Sequence, residues 1–178
     1  MDTKILNIEG ALLINNFSQH DKRGIFVKTY TNIVDSLKEL SFEVNEIYYS
    51  ISGKNVIRGM HFQRPSMDHA KIIYLTSGKI TDVILDLRRS SKSYKKYLAI
   101  DLSAHQNALY IPSGIAHGFL AKEDYTTVVY NQSKPYSNEH DDGILWNSFE
   151  YDWGVDQPIL SDRDKMFIGF EQFESPFD

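Results

Sequence analysis

Short apolar runs, separated by polar turns or by Gly and Pro, follow one another along almost the whole chain. They cover residues 11–14, 24–30, 44–51, 55–62, 71–76, 79–87, 94–102, 108–111, 115–121 and 126–132. Runs of this length, rich in Val, Ile, Tyr and Phe, read as β-strands. Residues 18–23 read as a polar turn, and Ser77-Gly78 predicts a hairpin between the runs on either side of it. Helical spacing is confined to residues 32–40, where Ile33, Leu37 and Leu40 share a face behind Asn32 as N-cap. A second short helix is expected close to the C-terminus. Many strands, frequent Gly and Pro punctuation and little helix predict an all-β sandwich or jelly roll. No repeat, linker or low-complexity segment divides residues 1–178, so one domain is expected.

Composition narrows the function. A chain of 178 residues is large enough to bury a full core. A net charge of -5 without any basic block argues against nucleic-acid binding. The absence of cysteine rules out disulfides and cysteine-ligated zinc. No long apolar segment suggests a membrane span or a signal peptide, so a cytoplasmic protein that does not enter membranes is expected.

Chemistry concentrates in a few stretches. In residues 56–63, strand alternation puts Arg58, Met60 and Phe62 on one side and Ile57, Gly59, His61 and Gln63 on the other. Gly59 would leave room for a ligand beside His61. An imidazole near a guanidinium suits proton transfer on an anionic substrate; the competing reading is a core histidine tied to a backbone carbonyl. Lys71 opens an apolar strand, either as a solvated edge residue or as a functional amine. A turn at Pro112 to Gly114 leads to His117, whose neighbours Ala116 and Gly118 are small. Tyr130 and Tyr136 could face a cavity or simply pack. Residues 160–165 mix acids and bases, including Arg163 and Asp164, and also read as a charged turn capping the last helix.

Taken together, the segments RGMHFQ, SGKITDVILDLRRSSKSY and LYIPSGIAHGF, the Tyr-x-x-Ser-x-x-Tyr spacing from Tyr130 to Tyr136, and GILWN ahead of PILSDRDK resemble the dTDP-4-dehydrorhamnose 3,5-epimerase family. The Asp21-x-Arg23-Gly24-x-Phe26 stretch fits the same pattern. The resemblance implies a cupin-type double-stranded β-helix jelly roll with few short helices near the termini. It implies a homodimer that exchanges strands at the subunit boundary. The implied reaction is epimerisation, at C3, C5 or both, of a nucleotide-diphosphate-linked 4-keto-6-deoxy sugar, without cofactor or metal, in deoxysugar biosynthesis for cell-surface polysaccharide. By the same resemblance His61 is the base, Asp164 its orienting carboxylate, Tyr130 the acid on the opposite face, and Lys71 the oxyanion stabiliser. Arg58, Arg23 and Arg163 suit the diphosphate. Phe26, Lys28, Glu46, Tyr48, Gln63, His117 and Tyr136 are expected as further substrate contacts, with Arg23 and Phe26 reaching the other subunit's site.

The chain departs from the family where substrate is read. Glu46-Ile47-Tyr48-Tyr49-Ser50 stands in place of a usual Gln-x-Asn-x-Ser, Lys28 in place of Glu, and His69 in place of Gln. A donor-only Lys28 matches cytosine, or guanine read by Glu46, better than thymine. Two other functions compete with this one. A metal-dependent cupin isomerase or oxygenase would need a second histidine where Gln63 stands. A non-catalytic sugar-nucleotide-binding cupin would not need His61, Lys71, Tyr130 and Asp164 together.

Overall fold

The computed structural model describes residues 1–32 and 35–178. Among them, thirteen strands form in chain order. They are β1 (Asp2–Ile5), β2 (Leu12–Asn15), β3 (Phe17–Asp21), β4 (Gly24–Lys28), β5 (Glu46–Ser52), β6 (Ile57–Gln63), β7 (Lys71–Ser77), β8 (Lys79–Asp86), β9 (Tyr97–Ser103), β10 (Asn107–Ile111), β11 (Ile115–Ala121), β12 (Thr126–Gln132) and β13 (Asp141–Gly143). A six-stranded sheet runs β1-β2-β10-β7-β12-β5 and a five-stranded sheet runs β13-β6-β11-β8-β9, while β3 and β4 form a separate hairpin. Two antiparallel sheets facing each other across one interior make a cupin-type jelly roll.

Alternation builds that interior. Ile73, Leu75, Leu109, Ile111 and Val128 point inward from the larger sheet and meet Ile80, Ile84, Leu102, Ile115 and Phe119 from the smaller one. Each such side chain contributes roughly 1.5–3 kcal/mol when fully buried. The run at residues 79–87 carries apolar side chains on both faces because β8 is buried on both. Behind it, Ile144, Phe149, Trp153 and Phe177 cover Val83, Leu85, Ala116 and Leu120. On the far side of the larger sheet, Leu37 packs with Leu12, Ile14, Ile72 and Tyr110.

Several expectations change. The strand on each side of Ser77-Gly78 belongs to a different sheet: β7 pairs with β10 and β12, and β8 with β11 and β9. The turn is therefore a corner between layers, not a hairpin. Gly78 has φ +79°, and a Cβ there would lie 2.3 Å from the Thr126 hydroxyl. The polar stretch at residues 18–23 belongs mostly to the β3–β4 hairpin, whose first strand is exposed throughout and has no apolar face to signal it. The helix read over residues 32–40 is a single turn, α1 (Asp35–Lys38); Asn32 lies in a turn, Leu37 is buried, and Ile33 lies outside the described residues. Near the C-terminus, the charged cluster does not cap a helix but forms one, α2 (Asp162–Lys165), with Ser161 as its N-cap; a 3-10 turn (Phe170–Gln172) follows. Among the described residues no helix is long and apolar enough to cross a membrane.

Candidate active site

Polar side chains gather at one end of the interior, and a bulge in β6 brings them together. His117 pairs with His61, but Phe119 pairs with Arg58, so β6 carries one extra residue between them. A bulge shifts the phase of alternation. Arg58 and His61 consequently line the same chamber, while Ile57, Met60 and Phe62 pack together on the other face. This corrects the expected grouping of Arg58 with Met60 and Phe62. Gly59 sits in the bulge at φ +135°, and a Cβ there would lie 2.5 Å from the Gly118 Cα. Neither glycine opens space for a ligand: the two backbones occupy each other's missing side chains.

Asp164 reaches His61 from the C-terminal part of the chain. Ser161 caps the one-turn helix α2 by accepting the Asp164 N–H at 3.1 Å, and Asp164 itself ties that helix to β6. The Asp164 carboxylate lies 2.8 Å from His61 Nε2 and also accepts the Gly59 N–H at 3.2 Å. Burial alone would raise this carboxyl, but the hydrogen bonds from His61 and Gly59 and the charge of His61 hold it below the usual carboxylate range. An ionised Asp164 accepts the Nε2 hydrogen and leaves Nδ1 with the lone pair. Of the pair, His61 is partly accessible (31%) and Asp164 almost sealed (5%).

Lys71 is buried rather than solvated at a strand edge. Burial lowers its ammonium to about 8, against the opposing pull of Asp82 and Asp141. Tyr130, also buried, is pushed far above the ordinary phenol range by burial and by Tyr48, and so stays protonated. Its ring stacks on Tyr48 at 4.6 Å and meets His117 edge-on at 6.2 Å.

Three cavities meet at His61. The innermost, about 170 Å³, is lined by His61, Lys71, Tyr130, His117, Arg58 and Tyr48, among others. A second, about 370 Å³, adds Glu46, Gln63, His69, Tyr136 and Arg163. Gln63 braces that wall: its Oε1 accepts the Ser137 N–H at 2.6 Å and its Nε2 donates to the Met67 carbonyl at 2.8 Å. Burial and the nearby Lys71 lower His69 to about 4, which keeps it neutral. Glu46 accepts the Tyr136 N–H at 2.8 Å. The third cavity, about 510 Å³, places Arg58 and Arg163 on one opening beside His61. Arg163 is held by Asp141 at 2.6 Å and lies over the Phe167 ring at 5.1 Å.

Arg23, Phe26 and Lys28 are not brought to these cavities within the chain. All three lie on the β3–β4 hairpin, where Arg23 and Phe26 line a separate groove of about 280 Å³. Asp82 was missed by sequence reasoning. It stands fully buried on β8, with Oδ2 2.7 Å from His117 Nε2. A carboxylate in the middle of the apolar run 79–87, away from the strand end where Asp86 sits, is the available signal, because a buried charge needs a partner. Gln132 and Asp141, also on the cavity wall, carried no comparable mark.

An accessible imidazole–carboxylate pair, a buried amine and a buried phenol at one end of the barrel define a cupin-type jelly roll equipped for proton transfer. The chain belongs to the dTDP-4-dehydrorhamnose 3,5-epimerase family, whose model matches residues 5–172. It is 34% identical over 160 residues to the Shigella flexneri dTDP-4-dehydrorhamnose 3,5-epimerase, covering 86% of this chain and 88% of that one. The crystal structure of the Sulfolobus tokodaii enzyme of that name superposes with a TM-score of 0.91 at 35% identity, covering 99% of this chain and 98% of that one. The Bacillus anthracis enzyme, solved with TDP and PPi bound, gives 0.90 at 34%, covering 95% and 99%.

Proposed function

We propose that this chain epimerises a nucleotide-diphosphate-linked 4-keto-6-deoxy sugar at C3, C5 or both, as a step in deoxysugar biosynthesis in the cytoplasm. The observation that carries this reading is the convergence of the His61–Asp164 pair, Lys71 and Tyr130 on one chamber. The C4 ketone acidifies its neighbouring C–H bonds. His61 takes the proton from one face, Lys71 stabilises the charge developing on the ketone oxygen, and Tyr130 returns a proton on the other face. In a buried site a fixed ammonium counts for more than it does in water. Arg58 and Arg163 suit the diphosphate, since a guanidinium fork matches phosphate oxygens. Glu46 and Tyr136 flank the neighbouring space for the nucleoside.

The reading includes a homodimer. The β3–β4 hairpin projects with Phe26 60% exposed, and the edge strand β5 shows Ile47, Tyr49 and Ile51 outward at 64%, 66% and 55%. An unpaired edge with an apolar face favours association. Arg23 and Phe26 then complete the other subunit's site, so mixing Arg23→Ala with His61→Asn chains regenerates some active sites. Lys28 and Glu46 favour a CDP- or GDP-linked sugar over the dTDP form. Tenfold tighter binding of dTDP than of CDP or GDP in titration calorimetry rejects that preference.

Proton NMR in deuterated water with a panel of nucleotide 4-keto sugars tests the activity. Deuterium at C3 or C5 supports the reading and reports the regiochemistry; exchange at neither carbon with any member of the panel overturns it.

A further inference from the structure

Tyr48 is placed in the site by geometry that the roles above leave unused. It stands directly opposite Tyr130 in the β5–β12 pairing, and the two rings stack at 4.6 Å with 14° between planes. Its hydroxyl, however, reaches along β12: the phenol oxygen accepts a hydrogen bond from Gln132 Nε2 at 2.7 Å. Gln132 in turn lies opposite Lys71 in the β12–β7 pairing. The Tyr48 ring thus covers Tyr130 while its hydroxyl sits toward the Lys71 row. Among the described residues, Tyr48, His61 and Lys71 are the three that line both the 170 Å³ and the 370 Å³ cavities.

We propose that Tyr48 donates a hydrogen bond to the C4 oxygen of the enolate, making with Lys71 a two-donor oxyanion site. The proposal rests on the epimerase reading. When His61 removes a proton from C3 or C5, the C–H electron pair becomes the C=C bond and the carbonyl π pair moves onto oxygen. That oxygen then carries the charge that Lys71 and Tyr48 face. Reprotonation of carbon from the opposite face returns the pair to the carbonyl, and no electrons enter or leave. Gln132 occupies a lone pair of the Tyr48 oxygen and leaves its hydrogen free, and a donor that itself accepts a hydrogen bond is a stronger donor. Burial, with Glu46 and Asp141 nearby, raises the phenol well above its ordinary range, so the hydrogen stays in place.

Because C3 and C5 share one enolate oxygen, Tyr48 acts on both carbons alike. Tyr130 acts only where carbon is reprotonated. Tyr48→Phe separates the possibilities, since phenylalanine keeps the stack on Tyr130 and loses only the hydroxyl. The measurement is deuterium incorporation and inverted product at each carbon, by NMR in deuterated water. The expected result is a fall of about 10²-fold in exchange, the usual loss for one oxyanion donor. The fall is the same at every carbon that the wild type exchanges, and the ratio of inversion to exchange is unchanged. Gln132→Leu should lower exchange by a smaller factor in the wild-type background and not at all on top of Tyr48→Phe.

Wild-type exchange rates in Tyr48→Phe overturn the assignment and leave only a packing role. Loss of inversion with exchange intact also overturns it, making Tyr48 a proton donor to carbon. A wild-type chain that exchanges neither carbon overturns the epimerase reading, and the assignment with it.

Discussion

Two histidine–aspartate pairs lie side by side in this molecule. His61 and His117 are directly opposed on β6 and β11, and their distances to Asp164 and Asp82 are almost equal, 2.8 and 2.7 Å. Their surroundings differ. His61 opens on the junction of the cavities, and its carboxylate arrives from α2, a late and separate segment. His117 and Asp82 are 5% and 0% accessible and sit on two core strands. Burial lowers His117 below its ordinary value despite the pull of Asp82, so it is held neutral and enclosed. In the proposed reaction the first pair supplies the base, while the second, on core strands and with His117 on the wall of the innermost cavity, acts as its buttress. Buttressing has its own cost, since Asp82 Oδ1 has no hydrogen-bond partner among the described residues.

The comparison can be broken most sharply at His61. His61→Asn should cut turnover by roughly 10²-fold to 10⁴-fold, the range for a positioned acid–base group, while the thermal melt stays near that of the wild type. Near-normal turnover would mean that the base is elsewhere. Asp164→Asn should lose part of that factor, on the order of tenfold to a hundredfold, again with the fold intact. Asp82→Asn should show the reverse. Leaving a buried group without its full partner costs about 1–3 kcal/mol, read as a lower urea midpoint, with a smaller effect on turnover than Asp164→Asn. If Asp82→Asn proves more damaging to turnover than to stability, the division between base and buttress fails.

The smallest expected effect is a change of pH profile at Lys71, which both pairs adjoin. Its ammonium is charged below about 8 and neutral above, so oxyanion support, and with it activity, should fall as pH rises through that value. Lys71→Arg keeps its charge at any accessible pH and should move this alkaline limb upward, at some loss of rate from the altered reach. An unmoved limb would assign it to another group.

Much of the architecture could be read in the chain because strand signals are local. Alternation and β-branched or aromatic enrichment depend on neighbours two residues apart, and β11 and β12 came out with the expected bounds. The exposed, polar β3 and the short β1 and β13 carry no such signal. His61, Lys71, Tyr130 and Asp164 were named through the motifs that carry the family resemblance, and the fold places all four around the cavities that meet at His61.

By itself, then, the sequence determined that the chain is all-β, which runs are strands, and which side chains are candidates for proton transfer. Tertiary structure decided how those strands divide between sheets and which faces they turn inward. Ser77-Gly78 is locally a good hairpin turn, yet β7 and β8 find their partners in different layers, because the pairings that bury the core lie far apart in sequence. The face of Arg58 was likewise beyond local reasoning. It depends on the bulge at Gly59, and that bulge depends on Gly118 approaching from β11, a strand with no sequence proximity to announce it.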